Sequence, residues 1–121
     1  MIADLALSRL LISNDANYPW LLLVPRRRDA VEIIDLDDID QHQLMAEVAA
    51  VSQALKAVTG CDKLNIAAIG NMVPQLHVHV VARRRDDPAW PRPVWGAVAP
   101  RIWDGKERLR LMNAVREKLG L

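Results

Sequence analysis

Residues 38–59, DIDQHQLMAEVAAVSQALKAVT, place Leu44, Val48, Val51, Leu55 and Val58 at spacings of three and four. That spacing is one apolar stripe along an α-helix. Asp37, Asp38 and Asp40 crowd its start, where carboxylates suit the positive end of the dipole, and Gly60 follows its end. A helix this long with a single apolar face needs a second layer to cover that face. The runs on either side have strand character, so the second layer is expected to be one sheet.

Residues 4–13 (DLALSRLLIS) read as a first strand with Leu5, Leu7, Arg9 and Leu11 on one face. The cluster from Asn14 to Pro19 is turn chemistry, because Asn and Asp tolerate left-handed backbone and Pro fixes its own φ. Trp20 to Val24 (WLLLV), ended by Pro25, reads as a buried strand antiparallel to the first. After the helix, Lys63 to Ile69 turns at Gly70-Asn71 into a run from Val73 to Ala82, a second hairpin. Residues 83–100 hold four prolines and no periodicity, which suggests an ordered loop with a function. Residues 104–119 close the chain as a helix, with Leu109, Met112, Val115 and Leu119 at helical spacing. The expectation is one α+β domain over residues 1–121: an antiparallel sheet of two hairpins, a long central helix and a C-terminal helix.

Composition narrows the function classes. A net charge of +1 on 121 residues does not attract a long polyanion, so nucleic acid is not the expected partner. Arginine is nevertheless clustered at Arg26–Arg28 and Arg83–Arg85, and such clusters suit a small anionic ligand. Cys61 is the one cysteine, which excludes an internal disulfide and CxxC metal motifs. No apolar stretch is long enough to span a bilayer, and Asp4 stands where a signal peptide would carry positive charge. The cytosol is the expected compartment.

The stretch with chemistry is Gln75-Leu76-His77-Val78-His79-Val80-Val81. A strand directs alternate residues to one face, so Gln75, His77 and His79 would point one way and Leu76, Val78, Val80 and Ala82 the other. Three readings compete. The two histidines could be satisfied strand residues without a role. They could bind Zn²⁺ or iron, but that needs a third or fourth protein ligand; a carboxylate such as Asp35 or Asp86 could complete the site, yet nothing in the spacing favours one. They could perform covalent catalysis on phosphorus, where an imidazole attacks, a neighbouring donor holds the phosphoryl oxygens and cations or amides balance charge. His77, flanked by His79 and Gln75 with arginines nearby, supplies those parts best. His42 lies at the front of the long helix and reads as a surface residue.

The string Gly70-Asn71-Met72-Val73-Pro74-Gln75-Leu76-His77-Val78-His79-Val80-Val81 resembles the signature of the histidine triad (HIT) family, His-φ-His-φ-His-φ-φ after a Gly-Gln-x-Val-type turn. Trp20-Leu21-Leu22-Leu23-Val24-Pro25 resembles the family's earlier H-φ-L-V-φ-P strand. The resemblance covers roughly residues 5–85, with residues 86–121 as a Trp- and Pro-rich loop and final helix. It implies a homodimer with a continuous antiparallel sheet. It also implies hydrolysis or transfer of nucleotides, of the dinucleoside polyphosphate or phosphoramidate kind, through a nucleotidyl-histidine intermediate. By that resemblance His77 is the nucleophile and His79 helps bind and polarise the α-phosphate. Gln75 stands where the triad has its first histidine, Trp20 where the earlier strand often has another, and Met72 where a polar residue often touches phosphate. An amide can still donate or accept a hydrogen bond, but it cannot change charge. A non-catalytic nucleotide-binding dimer is therefore the alternative.

Further candidates follow from position. Asn71 is expected to assist at the phosphate from the turn, and Asn65 sits in a strand where the family usually carries a polar residue. Asn14 and Asp15 lie in the hairpin turn where the family often reads ribose hydroxyls, although either could be simply a turn former. Arg83–Arg85 leave the histidine strand directly, so at least one arginine, with Arg83 as the first candidate, is expected near polyphosphate, and the sequence does not decide which. Trp90 and Trp95 would stack on a base or anchor the proline-rich loop. No cofactor is required for the covalent step, although Mg²⁺ could accompany a polyphosphate substrate.

Overall fold

The stripe at residues 38–59 folds as one continuous helix, α1 (Asp38–Thr59), between the limits its capping residues set. The Asp37 carboxylate accepts the N–H of Asp40 at 2.8 Å, and Gly60 closes the helix at φ 62°. A residue with a Cβ would carry roughly 1–2 kcal/mol of strain in that left-handed turn, which is why glycine stands there. The computed structural model describes all residues 1–121. It contains five strands, β1 (Ala3–Asp4), β2 (Ser8–Ile12), β3 (Trp20–Pro25), β4 (Lys63–Ala67) and β5 (Val78–Arg83), and a second helix, α2 (Gly105–Lys118). The strands form one antiparallel sheet in the order β1-β2-β3-β5-β4. The chain is thus α+β as expected. No helix is long and apolar enough to cross a membrane.

One face of the sheet is the core. Leu10, Leu21, Leu23, Val78 and Val80 are buried there against Leu44, Val48, Val51 and Leu55 of α1. Burying one such side chain stabilises by about 1.5–3 kcal/mol, so this interface sets the position of everything on the opposite face. Val115 of α2 completes the core, but Leu109, expected on the same stripe, is exposed: a helix at the rim buries only one edge of its apolar face.

Three sequence expectations need correction. The first strand is not continuous through residues 4–13; it breaks at Leu5–Leu7. The cause is Glu47 of α1, whose buried carboxylate accepts the N–H groups of Leu7 and Ser8 at 2.8 and 3.0 Å. Its inward face is consequently Ser8, Leu10 and Ile12, and Arg9 and Leu11 lie on the other face. The histidine strand begins at Val78 rather than Val73, since Pro74 has no N–H to pair and the Leu76 N–H goes to the Ala30 carbonyl at 2.8 Å. The preceding strand likewise stops at Ala67 instead of Ile69.

The second sheet face is divided. Loop 84–104 folds back over the end of β5, where Tyr18, Val81, Ala89 and Val94 form a small second core with Trp20 and Trp95 packed against it. That cover, with α1 on the other side, explains why all six residues of β5 are buried. The other end of the same face stays open.

Candidate active site

The open half is laid out by strand register. Leu11 pairs with Leu22, Leu22 with His79, and His79 with Ala67, so these residues form a row across the sheet. Two residues along, Arg9 pairs with Val24. His77 precedes β5 on the face that His79 occupies, and their rings lie 5.0 Å apart, edge to face. Leu11, Leu22, Val24, Val73, Gln75 and His77 surround an open cleft of about 240 Å³.

The hydrogen bonds fix both imidazole tautomers. Nδ1 of His77 lies 2.7 Å from the main-chain oxygen of Gln75. A carbonyl only accepts, so Nδ1 carries a proton; in the neutral ring the lone pair is then on Nε2, which has no protein partner. For His79 the reverse holds. The indole N–H of Trp20 donates to Nδ1 at 3.0 Å, so Nε2 carries the proton and donates to the Ile69 carbonyl at 3.1 Å. Trp20 and Trp95 pack on the ring, with centroids 5.7 and 5.1 Å away. Burial pushes the His79 pKa below the usual histidine value; the Ile69 carbonyl opposes this in part, and neighbouring His77 adds to it. One imidazole is accessible with a free nitrogen, and the other is boxed in and neutral.

Segment 69–76 bridges these rings. A Cβ on Gly70 would stand 3.0 Å from the Val73 oxygen and 3.2 Å from Cε1 of His77, so glycine is needed for the turn to pass the ring. Asn71 and Met72 are exposed at its tip, which leaves the Asn71 amide free for a ligand.

The remaining candidates separate. Gln75 does not extend from a strand beside His77: its Nε2 donates to the Pro25 oxygen at 3.2 Å, with the Arg27 oxygen at 3.5 Å. Its contact with His77 is through its main chain. Arg83 does not reach the cleft. It is 1% exposed, with Nε and Nη2 on the Asp87 carboxylate at 2.7 and 3.1 Å and Nη1 on Oδ1 of Asn65 at 2.8 Å. Its guanidinium also lies over the rings of Tyr18 and Trp90. Asn65 is therefore Arg83's partner. Burial alone would raise the Asp87 carboxyl, but Arg83 and the N–H groups of Arg84, Ala89 and Trp90 outweigh it and hold it below its ordinary value. Asp15 behaves as a turn residue, its Oδ1 accepting the N–H groups of Asn17 and Arg101, while Asn14 is exposed beside it. His42 is exposed, as expected, with Nδ1 at 2.6 Å from the Asp38 oxygen.

The metal reading lacks ligands. No group of three or more His, Cys, Asp or Glu side chains is placed so that it could hold a metal ion. Asp35 is engaged with the N–H groups of Val31 and Glu32, and three of the four ring nitrogens of His77 and His79 already have protein partners. In the sequence Trp20 shows only as a replacement for a family histidine; that it donates to His79 follows from the pairing of β3 with β5. The Ile69 carbonyl carries no sequence signal at all, because a main-chain oxygen is the same in every residue.

Residues 1–86 match the HIT domain family, and the chain belongs to it. Its backbone is similar to crystal structures of histidine triad proteins. The one from Bradyrhizobium japonicum is 63% identical with a TM-score of 0.96, covering 98% of this chain and 88% of that one. A Sinorhizobium meliloti protein is 44% identical (TM-score 0.94, 97% and 87% covered), and one from Marinobacter aquaeolei is 38% identical (0.94, 98% and 87%). A comparison with curated proteins finds no significant match. HIT proteins generally bind or hydrolyse nucleotides.

Proposed function

We propose that this protein hydrolyses a phosphoanhydride or phosphoramidate bond of a nucleotide through a nucleotidyl-histidine intermediate. The observation that carries this is His77 at the wall of an open cleft, its Nδ1 taken by the Gln75 carbonyl and its Nε2 without a protein partner. Nε2 attacks the α-phosphorus, and the bond to the leaving group breaks with its electron pair going to that group. The imidazole then carries positive charge, which the Gln75 carbonyl stabilises through Nδ1–H. Water next attacks the same phosphorus, releasing the nucleoside monophosphate and restoring His77.

His79 holds a non-bridging oxygen in this scheme, its Nε2–H transferring from the Ile69 carbonyl to the phosphoryl group, with Asn71 and the main-chain N–H groups of the 70–79 segment as further donors. Leu11, Leu22 and Val24 give the base an apolar bed. Gln75 acts through its main chain, and Mg²⁺ would enter only as the counter-ion of a polyphosphate substrate. The protein is proposed to act as a homodimer in the cytoplasm. Support for the dimer comes from β4, an edge strand whose Ile66 is 50% exposed. Such an edge with an apolar side chain suits pairing with a second copy.

The second reading is a nucleotide-binding dimer without turnover, and the engagement of His79 Nε2 by the chain's own Ile69 favours it. Turnover of diadenosine polyphosphate and adenosine phosphoramidate by metal-stripped protein separates the two. The parent is expected to release AMP, and His77→Ala to lose activity by about three orders of magnitude or more while still binding nucleotide. Binding by both proteins with turnover by neither would leave the binding reading standing.

A further inference from the structure

The apolar cleft at His77 does not end at Val24 and Gln75. Both residues also line a second, shallower concavity of about 410 Å³, whose other walls are Pro25 and the arginines Arg9, Arg26, Arg27 and Arg28. Register explains the junction: Arg9 lies opposite Val24 on the same sheet face that carries Leu11 and Leu22. The arginine segment is also tied to the residues just before His77. The Ala30 carbonyl accepts the Leu76 N–H at 2.8 Å, and Gln75 Nε2 donates to Pro25.

Charge in this concavity is unbalanced. Arg9 and Arg26 share the Asp4 carboxylate, and Arg27 holds Asp40. Arg28 has no side-chain hydrogen bond or ion pair, and it stands at the turn where Asp29 adopts φ 61°. No acidic residue lines this side. Asp29, Asp35, Asp37 and Asp40 lie in a separate concavity on the far side of Arg27 and Arg28. A small anion entering from the Gln75 side therefore meets the unpaired Arg28 together with Arg9 and Arg26, whose carboxylate partner Asp4 does not line this concavity.

We propose that the Arg9–Arg26–Arg28 concavity is the binding site for an anionic leaving group, a phosphate or polyphosphate tail, of the nucleotide attacked by His77. The inference rests on the hydrolase reading for its catalytic consequence. In the step the Nε2–P bond forms and the bond from phosphorus to the bridging oxygen breaks. That oxygen keeps the electron pair, so the departing phosphate gains one negative charge. Guanidinium groups beside it stabilise the charge as it develops. An amine leaving group needs a proton instead, which a guanidinium does not give, so the arginines help only the phosphate leaving group.

The test uses the full chain and inorganic tripolyphosphate, measured by calorimetry on the parent and on Arg9→Gln/Arg28→Gln. Both side chains are exposed, so the variant keeps its fold. A control, Arg85→Gln/Arg110→Gln, removes the same charge from exposed positions after β5 and on α2. The expected result is tripolyphosphate binding about tenfold weaker in the first variant and within about twofold of the parent in the control. Alongside it, the ratio of kcat/KM for diadenosine polyphosphate to that for adenosine phosphoramidate should fall about tenfold in the first variant. Equal weakening in both variants, no binding by the parent, or equal losses on both substrates would overturn the proposal. If the parent turns over neither substrate, the hydrolase reading fails, while the tripolyphosphate arm still decides whether the anion site exists.

Discussion

Two arginine runs, Arg26–Arg28 and Arg83–Arg85, sit at opposite ends of one sheet, and Arg28 of the first and Arg83 of the second meet opposite fates. Arg83 enters a second small core, where Asp87, Asn65, Tyr18 and Trp90 complete its hydrogen bonds and ring contacts. Arg28 stands in solvent beside the histidine cleft with no partner. A saturated guanidinium under a loop organises structure, and an unsaturated one at a cleft edge is available to a ligand. Chain proximity to His79 made Arg83 a candidate; the cover supplied by loop 84–104 takes its guanidinium away from the cleft.

The sharpest way to break the comparison is Arg83→Ala. Removing one partner of a buried ion pair leaves Asp87 uncompensated, and the loss of stability in chemical denaturation is expected to be about 3 kcal/mol. A loss below about 1 kcal/mol would show the covered half to be as loosely held as the open one. Gly70→Ala probes the open half. The new Cβ would press on His77 and on the Val73 oxygen, so turnover should fall roughly tenfold, with circular dichroism unchanged. An equal fall in nucleotide affinity would mean that the turn shapes the cleft as a whole, not the His77 ring.

Trp20→Phe lies at the boundary and should have the smallest effect. It keeps an aromatic ring but removes the N–H that engages His79 Nδ1, worth about 1 kcal/mol, or roughly fivefold in turnover. The sign of its pH effect follows from burial. His79 in the folded chain binds a proton less readily than in the unfolded chain, so its contribution to stability is present above about pH 6.5 and is lost as the pH falls towards its depressed value. Freeing Nδ1 raises the folded value, so the variant should lose stability less steeply over that interval. Titration of the ring by NMR checks this directly, and an unchanged midpoint would remove Trp20 from the account of His79.

Glu47 shows why part of the fold was hidden. Read along the chain it is one acidic residue in an amphipathic helix. In space it accepts the two main-chain N–H groups that break the first strand, so that Leu7 and Leu10 both face the core while Arg9 and Leu11 do not. Asp15 and Gln75 are the same case in the site: each was credited with a ligand by its position, and each has its side chain engaged by main-chain groups of the protein.

The sequence by itself determined what depends on neighbours within a few residues. The helix limits came from a stripe of 3.6-residue period between Asp37 and Gly60, and the shared face of His77 and His79 from the two-residue period of extended chain. The family signature was legible for the same reason, since it is a local string. Tertiary structure alone decided which polar groups remain unsatisfied. Hydrogen-bond capacity is limited, and whether Arg83, Asn65 or the ring nitrogens of His79 have any left depends on partners brought in from distant segments: Asp87, Trp20 and the Ile69 carbonyl.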